Sequence, residues 1–218
     1  MLPPLLAVDF DGTVSESDML VRVVRTFGAP RVVEEAEALL DARKIGLHEV
    51  IRREMSTVKV PLAEPLAMVL RETRIRRGFS GLVTLAESRG WRFLVISSGF
   101  SELIQPVLEQ AGLAHVELVA NRLSPEPSGW EAHFAPTPVC DVCREPCKRS
   151  LLEVEHGPLA ARPFAYVGDG VSDRCPAELA EPAFARTGLA RFLDRRAKAY
   201  HAFDDFESVA ATLAARWP

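Results

Sequence analysis

A short apolar segment that ends in an acidic turn is the most restrictive feature of this sequence. Residues 5–8 are all apolar, and Asp9-Phe10-Asp11-Gly12-Thr13 follows them directly. A short apolar run that stops at a carboxylate is typical of a buried parallel strand. We therefore expect strand one of a parallel sheet here, with Asp9 and Asp11 in the loop at its carboxyl end.

Two later apolar segments also end in turns of small, polar or acidic residues. Residues 91–96 run into Ser97-Ser98-Gly99, and residues 164–167 run into Gly168-Asp169. Helical patterns separate these strands, and strands that alternate with helices imply a parallel sheet. The predicted fold class is therefore α/β, with a Rossmann-like, doubly wound parallel sheet as its core.

The segment between the first strand and Gly78 has a different pattern. Apolar residues recur at helical spacing from Asp18 to about Arg74, with breaks at glycine and proline. We expect an all-helical cap over residues 15–77, inserted after the first strand. Residues 1–14 and 78–218 would form the core.

Composition limits the classes of function. The chain has 218 residues, 48% of them apolar, and a net charge of −4 with both signs interspersed. No concentrated positive field is present for nucleic acid or for a membrane surface. The apolar N-terminus resembles neither a signal peptide nor a membrane span. We expect a cytoplasmic protein with a small-molecule partner, and the sequence leaves its oligomeric state open.

Carboxylates at the strand ends predict a metal. Ligands bind outside the carboxyl ends of the strands in open parallel sheets, where Asp9, Asp11, Asp169 and Asp173 would converge. Their charges repel one another unless a divalent cation lies among them, and oxygen ligands in this number favour Mg²⁺.

This constellation suits phosphoryl transfer. Asp9 could attack phosphorus, and Asp11, two residues later, could protonate the leaving oxygen and then activate water. The phosphoryl oxygens need fixed donors. Candidates are the Ser97 hydroxyl, the backbone N–H groups of Ser98 and Gly99, and Lys148.

The ordered motifs resemble those of the haloacid dehalogenase superfamily. Residues 9–13 resemble its first motif, residues 96–100 its second, Lys148 its third and residues 168–173 its fourth. The resemblance implies that Asp9 is the nucleophile and that Mg²⁺ is bound by Asp9, the Asp11 carbonyl and Asp169. It makes Asp173 an additional ligand or a residue behind the ligands.

Within the superfamily, the chain is similar to a branch with a helical C1 cap. That branch includes the methionine-salvage, phosphoethanolamine/phosphocholine and phosphoserine phosphatases. The resemblance implies a Mg²⁺-dependent phosphatase that hydrolyses a small phosphorylated metabolite through an aspartyl-phosphate. The alternatives are a phosphotransferase or mutase on the same scaffold, or a non-catalytic protein that binds phosphate esters.

Four charged residues in or beside the cap have alternative interpretations. By resemblance to phosphoserine phosphatase, Asp18 could meet a substrate ammonium, but it could also cap the first cap helix. Arg53 could bind a substrate carboxylate or lie on a solvated helix face. Arg76 and Arg77, beside the cap hinge, are expected to be surface charges rather than phosphate ligands.

A cysteine cluster precedes Lys148. Cys140, Cys143 and Cys147 lie within eight positions. They could bind a structural zinc ion, with Cys175 or His133 as the fourth ligand. They could also form a disulfide, which a reducing cytosol disfavours, or pack as small buried residues.

Overall fold

The computed structural model describes residues 2–217 and contains a seven-stranded sheet in the order β4-β3-β2-β1-β5-β6-β7. All neighbouring strands are parallel except β3 and β4, which form an antiparallel hairpin. The strands are β1 (Leu5–Val8), β2 (Arg92–Phe100), β3 (Leu118–Ser124), β4 (Glu131–His133), β5 (Phe164–Gly168), β6 (Ala183–Ala185) and β7 (His201–Ala202).

Helices connect the strands. The first four follow β1 without an intervening strand: α1 (Met19–Phe27), α2 (Pro30–Asp41), α3 (Leu47–Met55) and α4 (Ala63–Glu72). All four lie within residues 15–77, the segment predicted to be a cap. The others are α5 (Phe79–Ser88), α6 (Ser101–Gln110), α7 (Lys148–His156), α8 (Arg174–Leu179), α9 (Thr187–Arg195) and α10 (Phe206–Arg216).

Strand β1 lies at the centre of the sheet and is buried on both faces. Successive side chains of a strand point to opposite faces. Leu6 and Val8 accordingly join one apolar cluster, while Leu5 and Ala7 join a second cluster on the other face. Covering on both faces explains why all four residues are apolar, and it confirms the predicted α/β class.

The strand order reverses at β1. The chain runs from β1 to β2 and β3 on one side and then returns to β5 on the other. Such a reversal leaves a crevice at the carboxyl ends of the central strands. Asp9, which follows β1, and Asp169, which follows β5, both lie at this edge.

The structure extends the sequence-based description near the C-terminus. Strands β6 and β7 and helix α9 were not predicted. A strand of three residues such as Ala183–Ala185, or of two such as His201–Ala202, is too short for a periodic pattern. The first of them gains its strand character from parallel pairing with β5.

Two chain crossings join the α1–α4 segment to the sheet region. Ser15 and Ile75 form an isolated antiparallel bridge, so the outgoing and returning chains run side by side. The Arg76 N–H donates to the Val14 carbonyl over 2.8 Å. Within residues 2–217, no helix combines the length and apolar character required to span a bilayer.

Gly78 provides a test of how the returning chain meets the core. Its φ is 82°, and a Cβ at this position would lie 2.6 Å from the Glu207 backbone nitrogen. We expect Gly78→Ala to lower the free energy of unfolding by about 2–4 kcal/mol, through left-handed strain and overpacking.

The matched control is Gly81→Ala, three residues later in α5, where a Cβ would meet nothing within 4 Å. It should raise stability by about 0.5–1 kcal/mol, because alanine favours helix over glycine. Urea unfolding of both variants measures these two changes in stability. Equal effects of the two substitutions would contradict strain and overpacking at position 78.

Candidate active site

Three carboxylates meet at the carboxyl ends of β1 and β5. The parallel register pairs Val8 with Val167, which brings Asp9 beside the loop that begins at Gly168. Carboxylate oxygens of Asp9, Asp169 and Asp173 lie within 4.8 Å of one another. The sheet therefore gathers residues that are up to 164 positions apart in the sequence.

A buried lysine lies among these acids. Lys148, the first residue of α7, donates from Nζ to Asp9 Oδ1 and, over 2.8 Å, to Asp173 Oδ1. Its side chain is only 5% exposed. Burial disfavours the ammonium, but the charges of Asp173 and Asp9 hold the pKa of Lys148 above its usual value. One cation thus joins the loops after β1 and β5.

Asp173 is fully buried, and both of its oxygens accept hydrogen bonds. Oδ1 accepts from Lys148 and, over 2.6 Å, from the Tyr166 hydroxyl, while Oδ2 accepts from the backbone N–H groups of Asp169 and Gly170. Burial would raise the pKa of Asp173, but Lys148 and these donors hold it below its usual value. Asp173 therefore shapes the loop that carries Asp169.

Asp9 and Asp169 are acids whose negative charge Lys148 offsets only in part. Burial raises the pKa of Asp9 well above its usual value; the charge of Asp173 adds to this rise, and Lys148 opposes it. Burial also raises the pKa of Asp169 to about 6, again with a contribution from Asp173. Three carboxylates face a single lysine, so the site favours an additional cation.

Asp11 faces the cavity from the other side of the loop. Its Oδ1 accepts the Met19 N–H over 2.8 Å, which ties the loop to the start of α1. Burial raises the pKa of Asp11, and the nearby Asp18 charge adds to the rise. Its carboxylate is not among the three clustered acids, which is compatible with the predicted metal contact through its carbonyl.

The end of β2 supplies serine groups close to Asp11. The Gly99 N–H donates to Ser97 Oγ over 2.9 Å. This N–H therefore orients the Ser97 hydroxyl, and its predicted role as a phosphate donor stays a prediction. A Cβ at Gly99 would lie 3.0 Å from Asp11 Oδ2, so glycine allows this close approach. Ser97, Ser98 and Gly99 all line the cavity.

Arg76 corrects the expectation that it is a surface charge. It is 8% exposed and donates to the carbonyls of Thr13, Gly12 and Asp204, at 2.8, 3.0 and 3.3 Å. It therefore fixes the loop that follows Asp9 rather than lying at the surface. Arg77 is exposed, as expected. A single sequence does not distinguish these adjacent arginines, because only the tertiary contacts assign them.

A cavity of about 360 Å³ opens above these groups, between the sheet edge and the first three helices. Its upper wall combines apolar side chains with four acids, and no lysine or arginine of residues 2–217 lines it. Asp18 both lines the cavity and caps α1, since its Oδ1 accepts the Val21 N–H over 2.8 Å. The acids of this wall are Asp18, Glu37, Asp41 and Glu54.

Glu54 was not identified from the sequence. It is 4% exposed, and burial raises its pKa to about 7, with further contributions from the charges of Asp18 and Glu37. Its position three residues after Ile51 and four after Val50, both buried, was the available signal, because that spacing places it on the same face of α3.

Arg53 does not line the cavity. It lies on the exposed side of α3, where its Nε donates to Glu49 Oε1 over 2.7 Å. The alternative of a solvated helix face therefore describes its position, and the geometry gives no support to a contact with a substrate carboxylate. An i, i+4 ion pair on the helix surface explains the orientation of the side chain.

The three predicted cysteines lie together outside the cavity lining. Cys175 joins them, and all four sulfur atoms are within 4.8 Å of one another. His133 does not join this group: its Nε2 lies 2.8 Å from Ser124 Oγ on the neighbouring strand.

Comparison with known proteins assigns the family. The model of the haloacid dehalogenase-like hydrolase family matches residues 6–178, and the chain belongs to this family. It is 31% identical over 196 residues to the 2-hydroxy-3-keto-5-methylthiopentenyl-1-phosphate phosphatase of Geobacillus kaustophilus, covering 85% of this chain and 84% of the relative. A protein of the same name from Bacillus velezensis is 27% identical, with 94% and 88% covered.

Solved structures agree on the fold. A phosphoserine phosphatase described as a phospho-aspartyl intermediate analogue matches with a TM-score of 0.70 and 18% identity, covering 97% of this chain and 99% of that one. A phosphoserine phosphatase from T. onnurineus matches with a TM-score of 0.69 and 15% identity, over 97% and 94%. Family and relatives together identify this chain as a phosphatase, as predicted.

The buried ion pairs of Lys148 predict a large stability effect. In Lys148→Met, Asp9 and Asp173 lose their shared cation, and we expect the free energy of unfolding to fall by about 3–5 kcal/mol at neutral pH. Urea unfolding in buffer without added Mg²⁺ measures this without compensation by that ion.

Lys198→Met is the control. Lys198 approaches the exposed Glu181 only to 3.8 Å, and its replacement should change stability by less than about 1 kcal/mol. A Lys148 variant as stable as this control would show that the pairs do not hold the site together.

Proposed function

We propose that the chain is a Mg²⁺-dependent phosphomonoesterase for a small metabolite, with Asp9 as the residue that accepts the phosphoryl group. The observation that carries this proposal is the convergence of Asp9, Asp169 and Asp173, the first and last of which pair with one lysine, below a cavity at the switch in strand order. Residues 15–77 act as the cap that closes over the substrate. A cytoplasmic location remains a prediction.

The donor set fits Mg²⁺. All the available ligands are oxygens, which suits a hard cation that keeps part of its water shell. Asp9, Asp169 and the Asp11 carbonyl would hold it, while Asp173, whose two oxygens accept hydrogen bonds, positions the Asp169 loop. When bound, the ion offsets the carboxylate charge and polarises the phosphoryl oxygens.

Asp9 attacks phosphorus, and the bond from phosphorus to the alcohol oxygen breaks. Asp11 donates its proton to that oxygen; in the second step it removes a proton from the water that attacks the aspartyl-phosphate. Hydrolysis then returns Asp9 and releases inorganic phosphate. Asp11 is oriented for both proton transfers by its bond to the Met19 N–H.

Lys148 and Ser97 bind the transferred oxygens. The Ser97 oxygen accepts the Gly99 N–H, which leaves its own hydroxyl hydrogen available for a phosphoryl oxygen. Lys148, buried beside Asp9, contributes positive charge where the phosphoryl group arrives.

Replacement of the nucleophile tests the reaction. Asp9→Asn should lower Mg²⁺-dependent release of phosphate from an aryl phosphate by about 10³-fold or more, since an amide is a poor nucleophile. The exposed Asp194 offers a matched control, and Asp194→Asn should retain wild-type activity. Phosphate release by Asp9→Asn at the rate of the control would refute the role of Asp9.

The acidic cavity wall supports a substrate whose alcohol carries a cation. Asp18, Glu37 and Glu54 lie close enough for their charges to interact, and no cation of the described chain lines the cavity to balance them. A quaternary or primary ammonium on the leaving group would supply that balance, as in phosphocholine or phosphoethanolamine. A carboxylate, as in phosphoserine, would meet repulsion.

The named relatives point to a different ester. Their substrate, 2-hydroxy-3-keto-5-methylthiopentenyl-1-phosphate, has an alcohol without an ammonium group. This ester is the second candidate substrate, and the sequence identity to these relatives over most of the chain supports it. Direct comparison of kcat/KM for the two classes of ester separates them.

The pKa of Glu54 gives the cation preference a pH signature. Glu54 gains its negative charge as the pH rises through about 7. The ratio of kcat/KM for phosphocholine to that for 3,3-dimethylbutyl phosphate, its uncharged isostere, should therefore rise by up to about tenfold between about pH 6 and about pH 8. The phosphate group titrates in both esters, so its effect cancels in the ratio.

In Glu54→Gln this rise should be lost, while Glu64→Gln, at an exposed position of α4, should keep it. Glu54→Gln should also be more stable than the wild type by about 3 kcal/mol at about pH 8, with the difference shrinking towards pH 5. The sign follows from the raised pKa: folding favours the protonated acid, so its ionisation costs stability. A ratio near one that is independent of pH in the wild type would exclude the cationic alcohol.

A further inference from the structure

The chain has four cysteines, and the fold brings all of them to one point. Three come from the segment before α7 and one, Cys175, comes from α8. The sulfur atoms of Cys140 and Cys175 are 3.6 Å apart, and all four lie within 4.8 Å of one another. Side chains separated by up to 35 positions therefore converge without belonging to the cavity.

The distances separate the three interpretations of the cluster. A disulfide requires sulfur atoms about 2.05 Å apart, and all four cysteines are unpaired. Four sulfur ligands at about 2.3 Å from a zinc ion lie about 3.8 Å from one another in a tetrahedron. The observed sulfur–sulfur distances, 3.6 Å for Cys140 and Cys175 and at most 4.8 Å for the other pairs, fit the tetrahedral zinc site and not a disulfide.

Burial also argues against simple packing. Cys140 and Cys175 are buried, but Cys147 is only half-buried and Cys143 is exposed. A thiol that served only to fill the core would not lie at the surface. The gradient from buried to exposed side chains instead suits a site at the edge of the core that an ion can enter.

The backbone of the loop holds two of the thiols in a tight turn. The Cys140 N–H donates to the Glu145 carbonyl over 3.0 Å, and the Arg144 N–H donates to the Cys140 carbonyl over 2.9 Å. Val139 and Pro146 form an antiparallel bridge around this turn. These backbone contacts fix the spacing of Cys140 and Cys143.

We propose that Cys140, Cys143, Cys147 and Cys175 bind one Zn²⁺ ion in a closed, tetrahedral, structural site. Each thiol loses its proton to solvent on binding, and the four sulfurs complete the shell, so no position stays open for substrate. This site and the carboxylates proposed to bind Mg²⁺ would take different ions. Soft thiolates select zinc, while carboxylates select magnesium.

The position of the cluster gives the ion its role. Cys147 immediately precedes Lys148, and Cys175 follows Asp173 by two residues. Lys148 and Asp173 form the buried ion pair that orders the active site. The zinc ion thus joins the starts of α7 and α8 behind this pair, and it positions Lys148 without touching the substrate.

Metal analysis of the full chain, produced without an affinity tag or added zinc, tests the proposal. We expect one zinc per chain, released in proportion to the titration of four thiols by a mercurial reagent. After exchange for Co²⁺, the protein should show thiolate-to-cobalt charge transfer and the visible bands of tetrahedral cobalt. Excess Mg²⁺ should leave both signals unchanged.

Variants identify the ligands. Cys143→Ala and Cys175→Ala should each weaken zinc retention against a competing chelator by about a hundredfold or more. Val142→Ala, at an exposed position of the same loop, should remain within about twofold of the wild type. The cobalt spectrum of the wild type decides the question even where a cysteine variant fails to fold.

Three results would overturn the proposal. One is four titratable thiols without stoichiometric zinc, and another is a disulfide in place of two of the thiols. The third is zinc that both cysteine variants retain or that Mg²⁺ displaces, since such zinc would lie at the carboxylates.

Discussion

The ion pairs of Lys148 with Asp9 and Asp173 organise the site. Lys148 begins α7, Asp9 follows β1 and Asp173 follows β5, so this single buried ammonium joins three separate parts of the chain. Removal of two carboxylates and a lysine from water is costly, and only close pairing offsets that cost. The arrangement holds Asp9 at the carboxyl edge of the sheet and keeps the Asp169 loop in shape through the other oxygen of Asp173.

Much of this arrangement was predictable from the sequence. The apolar run before Asp9 requires a strand covered on both faces, and strand ends with acids or serines predict a shared edge. The sequence could not assign contacts that depend on tertiary packing. Arg76 and Arg77 are adjacent, yet only Arg76 turns inward to the carbonyls of Gly12 and Thr13. Arg53 was a candidate by resemblance to phosphoserine phosphatase, and the sequence did not reveal that α3 turns this residue towards solvent and Glu49.

The site divides its chemistry between the two sides of the cavity. In the proposed reaction, the sheet edge provides the reacting carboxylates and Lys148, which act on the phosphoryl group common to all phosphomonoesters. The helical side provides Asp18, Glu37 and Glu54, which line the cavity where the proposal places the alcohol. Glu54 is costly to keep charged, since burial raises its pKa to about 7. A buried acid without a compensating cation is a common mark of a functional position, because folding alone would favour an apolar residue there.

The proposed role of Asp9 is to carry the phosphoryl group during turnover. The most direct measurement is acid quenching during steady-state turnover, followed by borohydride reduction and peptide mass spectrometry. An aspartyl-phosphate is an acyl phosphate, which borohydride reduces to an alcohol. We expect reduction at Asp9 alone, dependent on substrate and absent without Mg²⁺. Reduction at Asp169 or Asp11 would contradict this role of Asp9. Absence of any reduced residue in samples quenched rapidly during full turnover would contradict it as well.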